Sequence, residues 1–402
     1  MLKPSTRRAQ TNIRVIHPLR IALVAPLVTP IAAPFLGGAQ ALLHDLALGL
    51  VGRGHFVTLF ASSGSSFEKP LDGELQGKLS LFEVHVEPET LRPADFQARS
   101  SGKTEWNHAF FYQGELFVKI FLAINHADPA FDIAHAHAFD WPAFALGALS
   151  TVPVVHTVHI PSLDRHINSI LRAAYQSAGT SSAVTVSKAC AQTYANEFPF
   201  ERVIYNGIDT AHVPFKKTGG EFLLFAGRMS PEKGPDLAIQ IAQRAGKRLI
   251  LAGGVYDRAY FDERITPALQ VNNNVSYVGV LERAQLYRLM SEAEGLLFCS
   301  RWEEPFGLVM VESMATGTPV VAWNRGAAPE IIADGETGFL LDFMDIEGAA
   351  RAVKRLKSLN RVEIRRQVET RFSLDKMVDE YVHYYGEAIA RCQKNSSTKS
   401  PL

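Results

Sequence analysis

Short apolar runs recur along the chain, each followed by a glycine-bearing or polar turn and then by a longer stretch. RIALVAP (20–26), HFVTLFAS (55–62), FDIAHAHAFD (131–140), VPVVHTVHIP (152–161), SSAVTVS (181–187) and RVIYNGID (202–209) read as strands. A parallel strand covered on both faces is apolar throughout, which is the pattern of the strongest of these runs. LFEVHVE (81–87) alternates and reads as a further strand, while 41–52 and about 107–126 read as helices. The alternation restarts with FLLFAGRMSPEKGPDLAI (222–239), a strand, loop and helix. It continues through LILAGG (249–254), a helix to about Gln270, NVSYVGVL (274–281) and an apolar run ending in Cys299. A helix over 307–315, stopped by Gly317-Thr318-Pro319, and a strand over 319–323 follow. Residues 345–370 read as helical and 372–392 as a last amphipathic helix.

Strand, glycine turn, helix, strand is half of a doubly wound nucleotide-binding layout, and here it occurs twice. A chain of 402 residues exceeds one ordinary core. The polar stretch 212–221 marks a boundary. The expected organisation is a flexible basic tail (1–19), a first Rossmann-like domain (20–214), a second (215–371), a closing helix (372–393) and a tail (394–402).

Composition narrows the picture. The chain carries 41 basic and 41 acidic residues, so no charge excess calls for nucleic acid or another polyanion. Its three cysteines, Cys190, Cys299 and Cys392, lack metal-ligand spacing. No apolar run reaches the roughly 18 residues of a membrane span. The first twenty residues hold Lys3, Arg7, Arg8, Arg14 and Arg20 and no acid, without the apolar stretch of a signal peptide. A cytoplasmic protein with a disordered basic tail is expected, and weak attraction of that tail to an anionic membrane is the alternative reading of the tail.

The chemistry concentrates in 301–339, RWEEPFGLVMVESMATGTPVVAWNRGAAPEIIADGETGF. Glu304 lies in the loop before a helix and Glu312 within it. Glu312 falls about 40° from Leu308 around the helix, on the apolar side rather than the solvent side. Helical side chains lean toward the N-terminus, so Glu312 leans toward the mouth where Glu304 and the amides of Gly307, Leu308 and Val309 lie. Two acceptors and several fixed donors suit a polyol or an anionic oxygen. Arg228 and Lys233, five residues apart in one loop, supply the cations a diphosphate needs, one a planar fork and one a mobile point charge. The Gly37-Gly38 pair lets backbone approach a ligand closely. His137, His156 and His159 lie at or near strand ends, where open α/β sheets bind ligands. His137 and His156 read as structural.

The stretch 301–339 resembles the donor-sugar signature of retaining family-4 glycosyltransferases: a Glu, seven residues, a second Glu, with Pro-Phe-Gly after the first. The resemblance extends over about 20–390 and includes the Gly-Arg-(five residues)-Gly run with Lys233 before Gly234. It implies the GT-B architecture, two Rossmann-like domains facing a central cleft, with the last helix crossing back onto the first. It implies that Glu304 and His159 serve the reaction. Arg228, Lys233 and Gly38 would face the donor diphosphate, and Glu304, Phe306, Gly307, Leu308 and Val309 the donor sugar. Glu312 would hold the ribose, and Gly254 and Val280 would line the base pocket. Trp302 to Gly307 with Arg325-Gly326 resembles a subgroup of small-molecule glucosyltransferases, which points to UDP-glucose. The expected partners are therefore a nucleotide-sugar donor and an acceptor that the sequence does not name, a small molecule, glycan or lipid. The loops 27–36, 63–78 and 88–104 would choose that acceptor. No DxD pair in a plausible loop suggests a metal-bound diphosphate, and neither a metal nor another cofactor is expected. Two rivals stay open, a non-catalytic nucleotide-sugar or glycan binder and another enzyme of the fold, such as a sugar phosphorylase or nucleotide-sugar epimerase.

Overall fold

Two parallel sheets account for the apolar runs in the computed structural model, which describes residues 17–35, 37–67, 75–87, 108–178 and 180–398. The first sheet holds β1 (Arg20–Val24), β2 (Phe56–Ser62), β3 (Leu79–Val84), β4 (Ile133–Ala136), β5 (Val154–Val158), β6 (Ser181–Thr185) and β7 (Arg202–Val203). Its spatial order is β3-β2-β1-β4-β5-β6-β7. The second holds β8 (Phe222–Ala226), β9 (Arg248–Ala252), β10 (Val275–Tyr277), β11 (Gly295–Phe298), β12 (Val320–Trp323) and β13 (Gly338–Leu341). Its order is β10-β9-β8-β11-β12-β13.

In the first half the helices are α1 (Gly38–Gly52), α2 (His108–Asn125), α3 (Trp141–Gly147), α4 (Arg165–Ala178) and α5 (Lys188–Thr193). The second half adds α6 (Pro235–Ala245), α7 (Arg258–Tyr260), α8 (Thr266–Val271), α9 (Arg283–Glu292), α10 (Leu308–Ala315), α11 (Ala328–Ile331), α12 (Ile346–Val353) and α13 (Arg361–Arg371). The chain ends its described part in α14 (Leu374–Thr398).

Alternate residues of each strand serve opposite faces. Ile21 and Leu23 join Leu43, Leu46 and Leu50 of α1 in one cluster, whereas Ala22 and Val24 join Leu116, Phe117 and Ile120 of α2 in another. That two-sided burial is why β1 has no polar position among its buried residues.

Strand order reverses beside β1 in the first sheet, which pairs with β2 and β4, and beside β8 in the second, which pairs with β9 and β11. Loops leaving adjacent strands in opposite directions at such a switch open a crevice at the strands' C-terminal ends. The crevice of the second sheet is bounded by the loops after β8 and β11. These are the loops that carry Arg228, Lys233 and Glu304.

The chain crosses between the halves twice, side by side. The amide of Ile208 donates to the Phe372 carbonyl at 3.0 Å, and that of Leu374 donates to the Ile208 carbonyl at 2.8 Å. After the second crossing, Met377, Val378, Tyr381 and Tyr385 of α14 enter the α1 cluster, and Arg53 pairs with Asp375 (2.8 Å) and Asp379 (3.0 Å). The helix extends to Thr398, five residues into the stretch expected as tail from Lys394, because propagating a formed helix is far easier than starting one. Of the acceptor loops expected from the sequence, 88–104 lies outside the described residues, as do 68–74 of 63–78, Leu36 of 27–36, and 1–16 of the basic tail. Among the described residues no helix is long and apolar enough to cross a membrane.

Candidate active site

Lys233 and Glu304 meet. The Lys233 ammonium donates to Glu304 Oε2 at 2.7 Å, and the Trp302 indole N–H donates to the same oxygen at 2.8 Å. The ammonium also lies 5.2 Å from the centre of the Trp302 ring, so one tryptophan faces both charges. Each charge is held by backbone that only glycine permits. Gly234, after Lys233, has φ of +70°, and a Cβ there would come within 2.3 Å of the Cys299 carbonyl oxygen. Gly326, at φ of +55°, packs so closely on Glu304 that a Cβ would lie 2.6 Å from its amide nitrogen. The 325–326 turn binds the neighbouring Glu303 instead, through Arg325 Nε (2.7 Å) and the Gly326 amide (3.0 Å). Of the two adjacent glutamates, Glu303 is therefore spent on the turn and exposed, while Glu304 is buried and turned to Lys233.

Arg228 follows β8. Its guanidinium lies 3.2 Å from Glu232 and stacks 4.5 Å from the centre of the Tyr256 ring, with its side chain 40% exposed. Its headgroup thus retains open surface, whereas Arg301, the cation that begins the 301–339 stretch, is committed to a bidentate pair with Asp236 at 2.8 and 2.7 Å. Gly254 and Val280 lie together: a Cβ on Gly254 would sit 3.4 Å from Val280 Cγ2, and Val280 is exposed. Val255, Tyr256 and Val278 are also exposed here, an apolar shelf beside Arg228.

Gly307 precedes helix α10 and offers it no side-chain cap, so the first amides of the helix are left for other partners. Leu308 and Val309 are partly accessible, and Leu308 packs against the core clusters of both halves. Phe306 is different. Its ring is buried between Tyr205 (6.2 Å) and Phe372 (6.0 Å), beside the chain crossing, so only its backbone is available to a sugar.

Glu312 accepts from the Tyr287 hydroxyl at 3.1 Å. Burial raises its carboxyl above the ordinary value, against the opposing pull of Arg283 and of the Tyr287 bond. Arg283 Nε donates to Tyr287 (2.8 Å), and its two terminal nitrogens donate to Asp45 of α1 at 3.0 and 2.6 Å. Burial would raise Asp45, but His44 and Arg283 together hold it below its ordinary value. A line of polar contacts therefore runs from Glu312 across to the first domain.

The first domain comes close here. Gly38, the first residue of α1, lies against Leu308; a Cβ would be 3.0 Å from Leu308 Cδ1. His159, just past β5, is half-buried, and burial draws its pKa down to about 4, so it is neutral at physiological pH. Its Nε2 lies 2.8 Å from His137 Nδ1. Asp140, at the start of α3, is pushed up to about 6 by burial, opposed by a bond from Gln113. His156 is fully buried with neither nitrogen bonded, and burial takes it down to about 3. No group of three or more His, Cys, Asp or Glu placed to hold a metal occurs among the described residues.

Four participants escape the sequence patterns: Tyr287, Arg283, Asp45 and the His137–His159 contact. Asp45 alone leaves a trace, as a charge inside the apolar run ALLHDLALGLV. Arg283 and Tyr287 belong to α9 and Asp45 to α1, and only the docking of the two halves brings Asp45 to them.

Comparison with known proteins places the chain. Residues 36–212 match the model "Glycosyltransferase Family 4" and residues 209–371 match "Glycosyl transferases group 1". A glycogen synthase of Mycobacterium tuberculosis is 32% identical over 250 residues, 56% of this chain. The match spans only 59% of that synthase's own length. A D-inositol 3-phosphate glycosyltransferase of Mycolicibacterium smegmatis is 26% identical over 93% of this chain and 92% of its own. Among solved structures, Anabaena HepE in complex with UDP-glucose superposes with a TM-score of 0.65 at 20% identity, covering 91% of this chain and all of that one. With two matched halves, paired parallel sheets and neighbours of the same architecture, the chain belongs to the family-4 glycosyltransferases and has the GT-B fold.

Proposed function

We propose that the protein is a retaining glycosyltransferase that moves a hexose, glucose in our reading, from a UDP-sugar to an acceptor hydroxyl without a metal ion. The observation that carries this reading is the meeting of Lys233 and Glu304 at 2.7 Å in the crevice between β8 and β11, with uncapped α10 amides beside them. A salt bridge held by two glycines that tolerate no side chain is costly to build for stability alone. In this reading the pair is a cation for a diphosphate next to a carboxylate for a sugar. The existence of a UDP-glucose complex of the similar HepE supports the choice of donor.

In this reading Arg228 and Lys233, with the α10 N-terminus, take up the negative charge that grows on the leaving diphosphate. Tyr256, stacked on Arg228, keeps that guanidinium at the lip of the apolar shelf, where Gly254 and Val280 meet the base. Glu312 binds the ribose hydroxyls, with Tyr287 fixing its carboxylate. Binding the diphosphate draws Lys233 away from Glu304, and Glu304 then orients the sugar and favours positive charge at its anomeric carbon. The acceptor attacks the face from which the diphosphate leaves, the C–O bond to phosphate breaks, and a departing phosphate oxygen takes the acceptor's proton. His159, neutral, hydrogen-bonds the substrate and supplies no charge. The site is cytoplasmic in this reading, and the acceptor enters over the first domain.

Nucleotide release from UDP-, GDP- and ADP-sugars, first without acceptor and then with cell extract, tests the proposal. Slow release from UDP-glucose, raised by extract and lost in both Arg228→Ala and Glu304→Ala, is expected. Release that needs inorganic phosphate, or none from any donor by folded protein, would favour a phosphorylase or a binder.

A further inference from the structure

Three histidines of the first domain stand in one line of hydrogen bonds. His159 Nε2 meets His137 Nδ1 at 2.8 Å, and His137 Nε2 meets His135 Nδ1 at 3.3 Å. That His135 nitrogen also meets the Tyr385 hydroxyl of α14 at 2.6 Å. The second His135 nitrogen, Nε2, faces Thr157 Oγ1 at 2.7 Å, and Thr157 in turn meets the Tyr381 hydroxyl at 3.0 Å. All of these groups except His159 are buried. His159 lies at the open end of the line, its Nδ1 without a protein partner among the described residues and not closed off from solvent.

A neutral imidazole has one N–H and one lone pair, so fixing one nitrogen fixes the other. The 2.6 Å contact sets the order. A phenol is a stronger acid than an imidazole N–H, and an imidazole nitrogen a stronger base than a phenol oxygen, so Tyr385 donates to His135 Nδ1. The His135 proton then sits on Nε2 and goes to Thr157. His135 Nδ1 can only accept, so His137 donates through Nε2 and offers the lone pair of Nδ1. His159 must donate through Nε2. Both donors then share the lone pair of His135 Nδ1, the phenol at 2.6 Å and the imidazole at 3.3 Å.

We propose that His137 is a positioning residue: the line from Tyr385 through His135 and His137 holds His159 as its Nε2–H tautomer, so that Nδ1 meets the substrate as an acceptor. An acceptor nitrogen selects a hydroxyl and repels phosphate oxygens, which have no proton to give. His159 therefore reads a sugar hydroxyl rather than the diphosphate. The identity of that ligand rests on the glycosyltransferase reading; the tautomer does not. The arrangement also ties the reacting side of the cleft to the last helix, 250 positions away in sequence from His135.

The test is long-range nitrogen–proton correlation on protein labelled with ¹⁵N-histidine, with the His159 signal assigned by His159→Gln. Wild type should show His159 as a single neutral tautomer, protonated at Nε2, from pH 6 to 8. A proton on Nδ1, or rapid averaging between tautomers, overturns the proposal without any activity measurement. In His137→Phe the tautomer should average and kcat should fall about tenfold, the worth of one oriented hydrogen bond, with UDP affinity unchanged. His137→Asn, whose amide oxygen can take the place of Nδ1, should restore the signature and most of kcat. Equal kcat in His137→Phe and wild type, with both folded, would also refute it. Absence of turnover in wild type alongside the expected tautomer would count against the proposed function and leave the positioning line standing.

Discussion

Asp45→Ala should loosen the cleft rather than unfold either half. Asp45 sits on α1 of the first domain and Arg283 on α9 of the second, joined by two short bonds at 3.0 and 2.6 Å. Breaking a fully buried pair costs about 3–5 kcal/mol, and an exposed pair is worth about 0–1 kcal/mol. The Asp45 side chain is 10% exposed and that of Arg283 is 30%, which places this pair between the limits. A loss of about 2 kcal/mol follows, or about a 30-fold fall in the ratio of closed to open protein. Energy transfer between dyes on the two domains measures that ratio directly. Arg283→Ala should match Asp45→Ala, and the double variant should be no worse than either, a coupling of about 2 kcal/mol. The pH dependence has a definite sign. The Asp45 value lies below its ordinary 3.8, so the contribution is complete above that value and disappears as pH falls through the lower, folded one. Closure should therefore be flat from pH 5 to 8. Additive single and double variants, or closure that weakens by pH 5, would refute the reasoning.

Glu304→Gln should lower kcat about 100-fold, the scale of one electrostatic group aimed at developing charge, and leave UDP affinity within a few-fold in titration calorimetry. Arg228→Ala should weaken UDP about tenfold or more, as expected for a charge-assisted bond, while uridine binds the two forms alike. Acid sensitivity should trace in part to His156. It is pushed to about 3, so the unfolded chain binds a proton that the folded one refuses. Folding loses about 2 kcal/mol from this group between pH 8 and pH 5, and His156→Leu should remove that share in denaturant melts at the two pH values. Glu330→Ala should destabilise the junction of the halves. Its carboxylate accepts the amides of Lys188 and Ala189, at 2.9 and 2.7 Å, and the Tyr205 hydroxyl at 2.8 Å, so a lower thermal midpoint is expected in calorimetry.

The central strands were legible because both of their faces are covered, which makes β8, β11 and β12 apolar from end to end and β1 apolar after Arg20. The loops after β8 and β11 were legible for a related reason: charged residues and glycines there interrupt long apolar stretches. Helices α3 and α5 left no such trace, since seven and six residues are too few to display a 3.6-residue period. Strand β7 contributes only two residues to the sheet, far less than its apolar run implied. His137 shows what a local reading leaves out. A histidine at a strand end reads as structural, and its burial agrees, yet its partners lie 22 residues along the chain at His159 and, through His135, on a helix that returns from the second domain. Phe306 is a second case: the resemblance implies a contact with the sugar, and because its ring fills the junction where the chain crosses between halves, its backbone is what is left for that contact. Side chains that meet only through domain docking have no periodicity to read.

The stereochemistry of acceptor-free release would test the central claim most directly. UDP-glucose carries its sugar α-linked, and departure and attack on one face would preserve that configuration in the sugar passed to water. Proton NMR during the first minutes of release, before the anomers equilibrate, should find α-glucose. β-Glucose as the first product would mean attack from the opposite face, and would contradict the roles proposed for Glu304, Lys233 and the leaving diphosphate.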